Sequence, residues 1–365
     1  MGLKAYYLDI VTDKRNDCFA SFVKFFLFCL SLIYGLALSI VIICNRLLRY
    51  RLSCKVISVG NITWGGTGKT PLVEAIARYL KQEGCKVAIL TRGYKRKKES
   101  DERRWARDEG RGTMDEMMGD EAAMLAKNLG DVPVIVDADR KRAAEKAMKE
   151  HHATAVILDD GFQQWRIKKD LEIVAIDAMC PFGNGHMIPR GILREPLSSL
   201  KRADIVVITK TNLNPDTRKI KDVLRLINPG AVVFESIHAP ISLYDLAQPQ
   251  ALLNLDLLKD KTVALVSGIA SPESFEKLVK GLGINVGLSF QFSDHHRYTP
   301  EDSKNIEAQL QAAAIDTILT TEKDALRMGQ GIFSSSSKVY VVKIEVQVTD
   351  NEEEFFNRIR RVCVS

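Results

Sequence analysis

No C-x-x-C pair or other metal-ligand spacing links any of the seven cysteines, Cys18, Cys29, Cys44, Cys54, Cys85, Cys180 and Cys363. Neither a structural zinc site nor a disulfide framework is therefore expected, and the odd, scattered set reads as buried apolar residues or free thiols in a reducing compartment. No repeat period is evident, which sets aside solenoids and propellers. No long low-complexity tract interrupts a composition of 46% apolar and 27% charged residues, which sets aside wholesale disorder. Nor is charge strongly one-sided. A net +6 favours anionic partners such as nucleotide, phospholipid or nucleic acid without choosing among them; of these, nucleic acid is not the partner expected from the chain as a whole.

Charge is missing altogether between Phe25 and Cys44, "FFLFCLSLIYGLALSIVIIC". As a helix this run would cover about 30 Å, the thickness of a bilayer's hydrocarbon. It is too long and starts too late for a secretory signal, and no small-x-small cleavage site follows. The reading is membrane attachment, with crossing the bilayer placed ahead of lying in its surface; a buried core helix is the soluble alternative. Arg46, Arg49, Arg51 and Lys55 follow directly, so the downstream side is expected to be cytoplasmic.

From Lys55 onward, short apolar runs alternate with segments of helical spacing. Continuous apolar strands in such an alternation imply a mostly parallel sheet covered by helices, an α/β fold. A less regular stretch around residues 240–260 marks a boundary before a second, smaller α/β unit. The 365 residues thus divide into a membrane-associating segment over 1–50, a P-loop NTPase-like domain over 51–245 and a smaller domain over 246–365.

The stretch "VGNITWGGTGKTP" lacks the opening glycine of the phosphate-binding pattern G-x-x-x-x-G-K-S/T, having Thr63 there. Its context is nevertheless strand, loop, helix. Thr63, Trp64, Gly65, Gly66, Thr67 and Gly68 would wrap backbone N–H groups around ATP phosphates, Lys69 would reach the outer phosphates and Thr70 would offer a hydroxyl to Mg²⁺. Thr63 is tolerable if its φ stays negative. In "VILDDGFQ", Asp159 and Asp160 end a buried strand, where an α/β nucleotide enzyme places groups for Mg²⁺ or its waters. Taken alone, "GDEA" with Asp120 and Glu121 reads as a helix cap, and "SDHHRYT" with Asp294, His295 and His296 as a turn with one satisfied histidine. "TRGY", "FGNG" and "LREP" carry Arg, Tyr, Asn and Glu that suit sugar hydroxyls and phosphates, or merely loop structure.

Side by side, an N-terminal hydrophobic helix followed by "VGNITWGGTGKTP", "RGY", "GDE", "LDDGFQ", "FGNG", "LREPLSSLKRAD", "SGIASPESF", "FSDHH" and "TTEKDA" resembles the tetraacyldisaccharide 4′-kinase family of lipid A biosynthesis, over about Leu32 to Arg327. That family's P-loop also lacks the leading glycine. The resemblance implies transfer of the γ-phosphoryl group of ATP to the 4′-hydroxyl of an acylated glucosamine disaccharide 1-phosphate, at the cytoplasmic face of the inner membrane. It implies Asp120 as the base with His295 as its partner, Lys69 on the phosphates, and Thr70, Asp159 and Asp160 around Mg²⁺. Arg92, Tyr94, Gln163, Arg194 and Glu195 would serve the disaccharide and its phosphate, with Glu121 and Glu195 also suited to supporting positions. Because Asp120 and His295 fall on opposite sides of the expected boundary, closure of the two domains over ATP would be needed to bring them together.

The chain departs from the family pattern at Gln164 and Trp165, in place of a basic run, at Lys95 and at Arg190. Its basic run Lys95 to Lys98 suits lipid headgroups or the substrate's 1-phosphate. The competing reading is a regulatory P-loop GTPase or metallochaperone-like NTPase, suggested by "TKTN" (Thr209 to Asn212), which has asparagine where the guanine-reading T-K-x-D has aspartate.

Overall fold

The computed structural model describes residues 3–93, 118–329, 331–334 and 337–364. In chain order, the helices α1 (Leu3–Val11) and α2 (Cys18–Leu47) precede β1 (Lys55–Gly60), α3 (Lys69–Gln82) and β2 (Val87–Thr91). Then come α4 (Asp120–Leu129), β3 (Val134–Val136), α5 (Arg140–His151), β4 (Ala155–Asp159), β5 (Leu171–Asp177), β6 (Ile205–Thr209), α6 (Arg218–Ile227), β7 (Val232–Asp245) and β8 (Gln248–Leu253). The chain ends with β9 (Thr262–Ser267), α7 (Pro272–Gly281), β10 (Asn285–Gln291), α8 (Pro300–Ala312), β11 (Thr317–Thr321), α9 (Glu322–Met328), β12 (Lys338–Val348) and α10 (Glu352–Val364).

The chain divides into two compact units, each discontinuous in sequence. The first comprises residues 1–89, 144–237 and 348–365; the second comprises 90–143 and 238–347. A single boundary after residue 245 therefore groups residues 90–143, 238–245 and 348–365 differently from this division. Local patterning reveals elements, whereas this grouping depends on which distant segments pack together.

In the first unit the strands run β7, β6, β5, β1, β4, β2, with β1 parallel to both β4 and β5 and the next pairs parallel as well. The strands are apolar along nearly their whole length because both faces are covered: every residue of β4, β5 and β6 is buried. Each fully buried side chain such as Ile57 or Phe162 contributes about 1.5–3 kcal/mol. After β1 the chain steps to one side of the sheet, and after β4 it crosses to the other. Such a reversal leaves a crevice at the strands' C-terminal ends. Register places Val59 opposite Asp159, so the chain leaves β1 and β4 side by side. Gly60 makes this possible, since a Cβ there would lie 2.5 Å from the backbone N of Phe162.

The helix α2 also belongs to the first unit. At about 1.5 Å per residue its 30 residues extend roughly 45 Å, enough to cross a membrane. One stripe is docked on protein: Phe28 meets the His186 ring edge-on, Ser31 is buried, and the Tyr34 hydroxyl donates to the Arg194 carbonyl at 2.9 Å. Away from that stripe, Phe19, Phe22, Phe25, Phe26, Ile33, Leu36, Ile40 and Ile43 are exposed. Helix α1 is tied to the same loop, with the Tyr7 hydroxyl donating to the Pro189 carbonyl and Arg190 paired to Asp13 at 2.7 Å. The departure at Arg190 thus fastens the N-terminal segment.

In the second unit β9 lies between β10 and β11, β12 follows β11, and all these pairs for which register is defined are parallel. Its core gathers Val266, Tyr298, Ile306, Leu310, Ile318 and Met328.

Candidate active site

In the first unit, β1 delivers the chain through buried Asn61 and Thr63 into the glycine loop, and α3 begins at Lys69. Thr63 has no left-handed φ and forms a bridge with Leu193, so the missing glycine leaves no strain. Gly65 and Gly68 do require glycine, with φ of 123° and 76°. Gly68 is the N-cap of α3 and supplies no side-chain cap. The first-turn N–H groups of the helix are thus left for an anion, where the helix dipole adds favourable partial charge. Trp64 is largely exposed beside the loop, its N–H held by the Ile192 carbonyl at 2.7 Å.

Asp159 is buried at the end of β4, while Asp160 turns out of the strand with φ of 54°. Lys69 lies 3.2 Å from Asp160, and one Arg194 nitrogen donates to both Asp160 oxygens at 3.1 and 2.8 Å. Burial pushes the Asp160 carboxyl up, but Lys69 and Arg194 outweigh it and hold the pKa below the ordinary carboxylate value. Thr70 is buried in the first turn of α3. The Thr70 hydroxyl and Asp159 carboxylate are hard oxygen donors of the kind Mg²⁺ takes alongside phosphate oxygens and water, so the residues fit that ion. Asp160, already engaged by two cationic groups, suits it less. Among the described residues no cluster of three His, Cys, Asp or Glu side chains suits a metal by itself.

Gln163 and Glu195 form a supporting layer. Glu195 is fully buried, and its carboxylate accepts from Gln163 at 3.1 Å, Trp165 at 3.1 Å and Arg202 at 2.9 Å. Gln163 also donates to the Asn61 carbonyl at the P-loop entrance. Glu195 therefore acts through its neighbours, and the Trp165 departure has a partner.

In the second unit, Asp120 opens α4 and receives the His295 Nδ1 at 3.0 Å. The expectation that domain closure is needed to join them is overturned: both belong to one unit, in which residues 118–143 group with residues 238–347. Arg327 is a third member of this group. Its Nε donates to the same Asp120 oxygen at 2.6 Å, and its Nη1 donates to the Gly268 carbonyl at 2.8 Å and approaches Asp324 at 3.3 Å. Fully buried Asp324 accepts in turn from Gly268 N–H, Tyr298 and Thr321. Sequence shows Arg327 only as an i,i+3 partner of Asp324 on a short helix, with nothing pointing to Asp120. Burial alone would raise the Asp120 carboxyl, but the hydrogen bond from His295 and the charge of Arg327 bring it down to about 2. His296, by contrast, stacks on Phe292 and bonds Asp302, which makes it a structural histidine. Glu121 is paired with Lys323 at 2.7 Å. Arg92 is exposed just past β2, while Tyr94 and Lys95 to Lys98 lie outside the described residues.

The family model for tetraacyldisaccharide-1-P 4′-kinase, LpxK, matches residues 23–363. Among proteins of known name, the tetraacyldisaccharide 4′-kinase of Halothermothrix orenii is 37% identical, covering 95% of this chain and 94% of its own length. That of Elusimicrobium minutum is 36% identical, covering 93% and 91%. A crystal structure of LpxK from Aquifex aeolicus in complex with ATP superposes with a TM-score of 0.70 at 27% identity, covering 93% of this chain and 99% of that one.

Proposed function

Since the chain belongs to the tetraacyldisaccharide-1-P 4′-kinase family and is an ATP-dependent kinase for the 4′-hydroxyl of that lipid A precursor, we propose which of its residues perform the transfer and how it meets the membrane. The P-loop amides and Lys69 bind the β- and γ-phosphates, and Lys69 exchanges its contact with Asp160 for phosphate oxygens. Thr70 and Asp159 would hold Mg²⁺, which would neutralise charge on the phosphates. Arg194 keeps Asp160 in place during that exchange. Asp120 accepts the proton of the 4′-hydroxyl as its oxygen bonds to the γ-phosphorus and the bond to the ADP oxygen breaks. A carboxylate whose pKa is lowered to about 2 is a weak base, which suits a loose transition state in which the hydroxyl gives up its proton late. His295 and Arg327 orient it. Arg92 and Tyr94 serve the sugar phosphate.

The observation that carries this assignment is the Asp120–His295 pair at 3.0 Å, a proton-accepting arrangement that a regulatory GTPase has no need of. The acceptor is an acylated lipid, so α2 has a task as well. With one stripe docked on protein at Phe28, Ser31 and Tyr34, the middle of the helix stands beside the catalytic body, not at the centre of a bilayer. We therefore place α2 flat in the cytoplasmic surface of the inner membrane, its exposed phenylalanines and isoleucines in the acyl region, in place of the bilayer crossing that apolar length alone suggested. Attachment there raises the effective concentration of lipid at the site. Incubation with labelled ATP and disaccharide 1-phosphate lipid tests the reaction: label should enter the lipid with wild type and not with Asp120→Ala. Full activity in the variant removes the base assignment.

A further inference from the structure

The buried pair Lys210 and Asp177 takes no part in the chemistry described so far, and the "TKTN" stretch that suggested guanine recognition is left unassigned. We propose that Lys210 is a positioning residue for ATP: its ammonium group holds the Gly66 carbonyl outward and so sets the P-loop amides toward the phosphates. This rests on the reading of that loop as the ATP site.

Phosphate binding by a P-loop needs N–H groups turned inward, and in a planar trans peptide the carbonyl then points the opposite way. Each outward carbonyl wants a donor. Lys210 Nζ donates to the Gly66 carbonyl at 2.8 Å, and Thr209 Oγ1 donates to the Thr67 carbonyl at 2.9 Å. Asn61 Nδ2 donates to the Thr63 carbonyl at 2.9 Å. The Thr67 N–H, on the far side of its peptide from Lys210, makes a 3.2 Å bond to the Gly65 carbonyl, and the planarity of the Thr67–Gly68 peptide turns the Gly68 N–H away from Thr209.

Asp177 fixes the lysine. Its Oδ2 accepts from Lys210 at 2.5 Å and its Oδ1 from the Met179 N–H at 2.9 Å. Lys210 itself has a left-handed φ of 60°, an arrangement that is unfavourable for a non-glycine residue. A buried ion pair is a poor source of net stability, since apolar replacements of similar volume often fold as well. Strain and burial together are accounted for by the carbonyl at the far end of the lysine.

Calorimetric titration with Mg·ATP tests this, using wild type and Lys210→Met/Asp177→Leu, which removes the brace without stranding a charge. The expected result is an unchanged unfolding midpoint, an at least tenfold weaker Kd for ATP, a matching rise in KM for ATP and a KM for the lipid within twofold of wild type. Wild-type ATP affinity in the folded double variant overturns the proposal, as does an equal rise in both KM values. Thr209→Val, nearly isosteric, carries the test if the double variant does not fold: it should weaken ATP binding about threefold, and an unchanged Kd again overturns the brace. A wild type that does not bind Mg·ATP removes the ATP-site reading itself, an outcome distinct from either.

Discussion

Replacing Arg327 with methionine isolates the group that holds Asp120. The carboxyl's descent from its ordinary 3.8 to about 2 corresponds to roughly 2 kcal/mol in favour of its ionised form. Partial solvent access trims this to about 1 kcal/mol, shared between His295 and Arg327. Asp120 in the variant therefore stays ionised at neutral pH, and the loss expected there is one of orientation. With the 2.6 Å bond gone, His295 is the side chain among the described residues that still grips the carboxylate, and a shift of about 1 Å at a reacting group reduces turnover on the order of 100-fold. Stability falls too, because buried Asp324 loses its cation; breaking such a pair costs about 3–5 kcal/mol. The assay is kcat with saturating ATP and lipid at a temperature where circular dichroism shows the variant folded. Arg327→Lys, which keeps the charge near Asp324 but not the fork, should recover stability more than kcat. A folded Arg327→Met with kcat within threefold of wild type would refute the reasoning.

Three other outcomes follow from the same geometry. Lys69→Met should abolish lipid phosphorylation by at least 1,000-fold while leaving the fold intact, since its Asp160 partner keeps Arg194; labelled-ATP turnover and thermal unfolding check the two halves separately. Arg190→Ala removes the ion pair and carbonyl contact that fasten Asp13 and Ile10, so limited proteolysis should cut after residue 13 sooner than in wild type and vesicle flotation should weaken. In acid, Asp120 contributes stability that is complete above about pH 4 and is lost as pH falls through its folded value of about 2, so unfolding midpoints should decline across that window. Asp120→Asn should flatten the decline, whereas Asp324, whose carboxyl is raised by burial, works in the opposite direction.

Much of the first unit was legible from residue order. Strand, glycine loop and helix are consecutive in the chain, and the identity of Gly65 and Gly68 follows from backbone angles that other residues resist. The ordered motifs by themselves point to the family. The second unit was less legible. Asp120 and His295 are separated by 175 positions, and neither periodicity nor spacing says that residues 118–143 group with residues 238–347.

Local hydrogen bonding and side-chain periodicity are properties of neighbours, so the sequence alone determined the alternating strands and helices, the phosphate loop and the apolar length of α2. Pairing among buried charges is a property of topology. A carboxylate taken out of water must find a donor wherever the folded chain supplies one. That requirement put Arg327 on Asp120, Glu195 beneath Gln163 and Lys210 on Asp177, whose own neighbours then direct each group toward the site or away from it. Only tertiary structure bears on the setting of α2: an apolar helix can cross a bilayer or lie along it, and the contacts that Phe28 and Tyr34 make with protein are what support the surface-lying placement proposed above.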